Sequence, residues 1–111
     1  MATALNVFRT ITANLKTTSN VIYTAPVLKT CIVLSMQVTN VTSNTVSTTI
    51  YHSTAANSLI ELTKDFDIPT KDSASVITGK LVLETGQKVV ASCSSNDALK
   101  LVMSILETAN D

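Results

Sequence analysis

One histidine, two cysteines and a loose group of carboxylates are the side chains in this sequence whose types could do chemistry. His52 would serve as a general base if a nucleophile or a carboxylate stood within hydrogen-bond reach. It sits at the end of a strand-like run with no such partner placed beside it, and reads as a polar strand end. Asp65, Asp67 and Asp72, with Glu61, form the densest acidic group, and oxygen-rich loops can hold Ca²⁺. Lys64 and Lys71 interleave with them and the spacing of a calcium loop is missing, so a solvated edge is expected. Asp65, Asp67 and His52 would be the material of a metal-assisted hydrolase, the weakest reading of the chain. Cys31 and Cys93 each fall inside a strand-like run and are expected to be buried thiols, since a chain in the cytosol stays reduced. Gly79 and Gly86 supply no phosphate-cradling loop. Four aromatics, Phe8, Tyr23, Tyr51 and Phe66, are too scattered for a glycan or single-strand stacking platform and are expected in the core. The chain is therefore expected not to be an enzyme, with no catalytic residue, no cofactor and no metal.

The elements that hold these residues are strands. In "KTCIVLSMQVTNV" Ile32, Leu34, Met36 and Val38 fall on one face and Cys31, Val33, Ser35, Gln37 and Thr39 on the other, a period of two. The turn residues Asn40 to Asn44 follow, with side chains that bond their own backbone. "TVSTTIYHS" alternates more weakly, and its Thr and Ser suit a solvent-facing side. After a loop at 53–58, "LIELTKDFDI" places Ile60, Leu62, Phe66 and Ile68 on one face of a half-buried strand that Pro69 ends. "KLVLET" and "KVVASCS" read as a hairpin with Gly86 at its turn. "LKLVMSILET" reads as a strand covered on both faces; Leu99, Val102, Met103 and Leu106 also fit a helical period, which nothing else in the chain supports. "LNVFRTITANL" and "NVIYTAP" complete the set, with residues 1–20 either an extended N-terminal arm or the first strand. The expected fold is all-β: a single antiparallel β-sandwich or jelly-roll-like domain of about eight strands over residues 1–111.

Composition points the same way. Eighteen Thr and twelve Ser accompany 45% hydrophobic and 14% charged residues, well under the ~25% charged of ordinary soluble domains. Much of the surface must then be neutral. The eight basic and eight acidic residues cancel without forming runs, so neither nucleic acid nor an anionic membrane is an expected partner. No apolar stretch approaches bilayer length and the N-terminus lacks the form of a secretory signal, so synthesis in the host cytoplasm is expected.

The segments "YTAP" (23–26), "IVLSMQVTNVTSNTVSTTIYH" (32–52), "DFDIP" (65–69) and "TGKLVLETGQKVVASCSSNDALKLVMSILET" (78–108) occur in an order that resembles a group of small virion structural proteins of tailed bacteriophages, cyanophages especially. The resemblance covers most of the chain from about residue 5, and it rests on the order of the segments because each is also generic β-sheet sequence. It implies a β-sandwich present in repeated copies on the virion, most specifically a capsid decoration (cement) protein that binds the major capsid protein. A tail, neck or fibre-attachment component is the alternative, and a receptor- or glycan-binding module the second alternative. Contacts are expected from edge strands and the N-terminal residues Leu5, Val7, Phe8, Arg9 and Ile11. A homo-oligomer is expected, a trimer by the frequency of threefold positions on capsids.

Overall fold

The computed structural model describes residues 6–77 and 79–109, which form strands and turns without a helix. In chain order the strands are β1 (Asn6–Asn14), β2 (Asn20–Thr24), β3 (Lys29–Asn40), β4 (Val46–Ser53), β5 (Leu59–Ile68), β6 (Ser73–Ser75), β7 (Leu81–Leu83), β8 (Lys88–Cys93) and β9 (Leu99–Ala109). They build two antiparallel sheets, β1-β9-β3-β6 with β7 also on β3, and β2-β8-β4-β5. Because β6 and β7 both lie along β3, they are two pieces of one interrupted strand, and the expected eight become nine. Counted so, the chain visits the sheets in the order first, second, first, second, second, first, second, first. This is jelly-roll connectivity, a β-sandwich closed by crossovers between its sheets. Residues 6–14, half of the proposed arm, are the first strand, paired with β9 along their whole length.

β9 shows why the core lies where it does. Leu99, Leu101, Met103 and Ile105 alternate inward and are fully buried, and each removes enough apolar surface from water to contribute about 2 kcal/mol. The other side is not fully covered, contrary to expectation: Val102 is 47% exposed. β3 departs from the expected phase for a physical reason. Val33 pairs with Ile105 and Ser35 with Ser104, so Leu34 is an extra residue in the ladder, a β-bulge. One inserted residue swaps the faces. Cys31 and Val33 point inward before it, Met36, Val38 and Asn40 after it, and Ile32 turns outward.

Three further expectations are corrected. The runs around Gly86 do not form a hairpin, since β7 pairs with β3 and β8 pairs with β2 and β4 in the other sheet. The turn chemistry is nevertheless right: Gln87 N donates to Glu84 O (2.9 Å) and Gly86 has φ +85°. The turn is a crossover between sheets. Second, the Thr and Ser of β4 are largely buried, because β4 is central in its sheet. Their hydroxyls are satisfied locally, Thr48 Oγ1 donating to Ser92 O (2.9 Å) and Ser53 Oγ to Thr54 O (3.0 Å). Third, β5 is an edge strand with two register shifts, and Ile60, Leu62 and Phe66 stay exposed while Ile68 alone of that face is buried. Phe8, 73% exposed, is likewise not a core aromatic.

A Cβ at Gly86 would lie 3.1 Å from the Ala55 Cβ, and its φ disfavours every L side chain. Gly86→Ala is expected to lower stability by about 1–2 kcal/mol. Chemical denaturation checks this; an unchanged midpoint would mean that the turn re-forms without strain.

Candidate functional site

The densest group of ionisable side chains is structural in form. Glu107 continues the inward alternation of β9 and is 3% exposed. Three groups from three other strands converge on it. Arg9 Nε of β1 donates to Oε1 (2.8 Å), Lys29 Nζ of β3 lies 3.6 Å from the same oxygen, and the Tyr23 hydroxyl of β2 donates to Oε2. Cys31 Sγ is 2.9 Å from the Tyr23 oxygen. Burial alone pushes the Glu107 carboxyl up, but the hydrogen bonds from Tyr23 and Arg9 and the charges of Arg9 and Lys29 outweigh it and hold the carboxyl below the usual range. Burial, with the bonds to Cys31 and Glu107, raises Tyr23, and burial raises the Cys31 thiol. A raised thiol is a poor nucleophile. Since Tyr23 belongs to the second sheet and Glu107 to the first, the cluster pins the two sheets together beneath β1. Sequence inspection missed it because its members lie up to 98 positions apart. The available signal was a carboxylate on the inward parity of an otherwise apolar strand.

The acidic group and His52 do not meet. Asp67 pairs with Ser47 at one end of β4 and Ile60 with His52 at the other. His52 Nε2 lies 3.2 Å from Gln87 Oε1, and Asp65 Oδ1 accepts from Thr49 Oγ1 (3.3 Å). Among the described residues no group of three His, Cys, Asp or Glu is arranged to hold a metal ion. Cys31 and Cys93 are buried free thiols. A cleft of about 230 Å³ between β5 and the β6–β7 segment is lined by Leu62, Thr63, Val76, Ile77, Lys80 and Leu81, without a convergent set of polar groups.

Geometry of another kind appears on the outer face of the first sheet. Register aligns Phe8 of β1 with Leu106 of β9, Leu106 with Ile32 of β3, and Ile32 with Val82 of β7. Four apolar side chains thus form one row across four strands, about 14 Å wide at the usual strand spacing. Phe8 and Val82 at its ends are 73% and 53% exposed. Around the row stand Thr10, Thr12, Ser104, Ser35, Gln37 and Thr39, and Lys100 is the one charge at the strand positions of this face. The outer face of the second sheet differs, carrying Lys88, Glu61 and Asp67.

Of the N-terminal residues singled out from sequence, Phe8 alone lies on this outer face. Val7, Arg9 and Ile11 have the opposite parity: Arg9 is engaged by Glu107, and Ile11 packs against the core. Leu5 lies outside the described residues.

The same fold recurs at very low sequence identity. A chain from Bacillus endospore appendages, described as disulfide-linked pili, is similar with a TM-score of 0.57 at 12% identity, over 96% of this chain and 88% of that one. A chain from the acid-stable capsid of Helicobacter pylori bacteriophage KHP30 is similar with a TM-score of 0.56 at 11% identity, over 97% of this chain and 90% of that one. No protein-family model and no curated protein matches the sequence. At these identities the likeness establishes the sandwich fold.

Proposed function

We propose that this protein is a non-enzymatic structural subunit of a bacteriophage virion, and specifically a capsid decoration protein that binds the major capsid protein. The observation that carries the reading is the nearly uncharged outer face of the first sheet with its row from Phe8 to Val82. Covering such a face desolvates few charges, and an exposed apolar row of this kind marks an interaction site. The order of segments that resembles small virion proteins supports it, as does a fold shared with a phage capsid chain. The resemblance to cyanophages in particular has no counterpart among these neighbours.

Counting copies in purified particles, by quantitative mass spectrometry against the major capsid protein, tests the assignment. Hundreds of copies are the expected result. A few, or about a dozen, would move the protein to the neck or tail, where rings of low copy number sit. The double substitution Phe8→Lys and Val82→Lys is expected to reduce attachment to particles at least about tenfold while leaving the melting temperature unchanged, because both side chains already face solvent. Undiminished attachment would place the contact on another face.

A further inference from the structure

The two sheets have four edges, and three are built to refuse a partner. β6 and β7 break the edge of the first sheet into pieces of three residues each. β2 has five residues and a register shift between Val21 and Tyr23. β5 has two register shifts and carries Glu61, Lys64, Asp65 and Asp67. Shortness, bulges and charge are the devices that prevent edge-to-edge association. β1 is neither short nor bulged, and it carries a single charge. Its nine residues pair with β9 in unbroken register, contain no Pro or Gly, and leave the other edge without a strand partner among the described residues. Its sole charge, Arg9, points inward and is neutralised by Glu107.

We infer that β1 is a self-complementary edge, and that its partner is the β1 of a second copy, paired antiparallel about a two-fold axis through Thr10. The register follows from the side chains. Pairing must keep inward residues opposite inward ones, so the two positions of each pair sum to an even number. A centre at Arg9 sets two guanidinium groups directly opposite each other, a repulsive arrangement. A centre at Ile11 leaves Asn6 and Val7 unpaired. The centre at Thr10 uses all nine residues: Thr10 meets Thr10, Phe8 meets Thr12, Asn6 meets Asn14, Arg9 meets Ile11 and Val7 meets Ala13. Thr–Thr and aromatic–β-branched pairs are favoured across antiparallel strands. About eight to ten backbone hydrogen bonds would close the edge.

A second observation favours the same partner. The inward residues Val7, Ile11 and Ala13 are only half-buried, because the second sheet does not fully cover β1. Two-fold pairing sets Val7 beside Ala13 of the second copy and Ile11 beside the aliphatic stem of its Arg9, and merges the two outer faces into one neutral sheet surface. Antiparallel self-pairing is isologous and closes at two subunits. It therefore replaces the trimer expected from sequence with a dimer. The inference concerns the isolated chain and holds whichever part of a virion the protein occupies.

The test uses the full chain in sedimentation equilibrium, with circular dichroism to confirm folding. A reversible dimer is expected, and Thr10→Lys, which sets two ammonium groups on the axis, should weaken it at least about tenfold. Thr10→Cys supplies a second, nearly isosteric probe. Directly opposed Cα atoms about 4.5–5.5 Å apart fall within disulfide range, so oxidation should yield a covalent dimer. Phe8→Cys should not cross-link, because the two copies of that position are offset by four residues, about 13 Å. A monomer at every concentration, a trimer, a dimer indifferent to Thr10→Lys, or equal cross-linking of the two cysteine variants would each overturn the inference.

Discussion

Replacing Asn40 with alanine is expected to cost about 3 kcal/mol and to lower Tm by roughly 10–15 °C. Asn40 is fully buried at the last position of β3, and its amide uses its full bonding capacity. Nδ2 donates to Asn44 O (2.7 Å) and to Ile68 O (2.9 Å), and Oδ1 accepts from Thr42 N (2.9 Å) and Thr42 Oγ1 (2.7 Å). The bond to Ile68 is the expensive one to lose, because it lies within the core and ties the end of β5 to the opposite sheet. Removing the amide leaves that carbonyl without a partner, at about 1–3 kcal/mol, while the Thr42 and Asn44 groups can partly recover by meeting water. Equilibrium denaturation in urea measures the difference. A loss below about 1 kcal/mol would show that water or a shifted turn replaces the amide.

The same residue shows what the sequence discloses. That Asn40 through Asn44 turn on their own side chains follows from local chemistry, and Thr42 N indeed bonds Asn40 Oδ1. The link to Ile68, 28 positions away, depends on which sheets face each other and leaves no local mark. The strands themselves were legible wherever one face is apolar and continuous, as in β9. In β3 the run Cys31-Ile32-Val33-Leu34 is apolar at every position, so a bulge at Leu34 could reverse the phase without disturbing the pattern. The turn at Gly86 was legible as a turn but not as a crossover, because turn chemistry fixes a reversal of direction and not the neighbour of each strand. A large neutral surface could be inferred from composition. Its location could not, since the phase of β3 decides that Ile32 joins Phe8, Leu106 and Val82.

Acid should destabilise the fold through Glu107, and Glu107→Gln should remove that part of the response. The carboxyl is held below its ordinary value in the folded chain and returns to about 4.3 on unfolding. A depressed folded value means that the unfolded chain binds more protons near that pH, so stability rises with pH there. The contribution is complete above the unfolded value and disappears as pH falls through the folded one. A melting temperature that is nearly flat from neutral pH to about 5 and falls below about 4 is therefore expected. Other carboxylates add to the fall, and the difference between the native and Glu107→Gln curves isolates the share of this one. At neutral pH the substitution should cost about 2 kcal/mol, because the ion pairs with Arg9 and Lys29 are lost and an amide has one acceptor oxygen where the carboxylate offers two, to Arg9 and to Tyr23. Arg9→Ala should cost less, since its side chain is 53% exposed and Lys29 and Tyr23 still face the carboxylate. Tyr23→Phe combined with Glu107→Gln should be less destabilising than the sum of the two, because both remove the same bridge between the sheets. Strict additivity, or parallel pH curves for native and Glu107→Gln protein, would mean that the cluster does not join the sheets and that packing alone holds β2 in place.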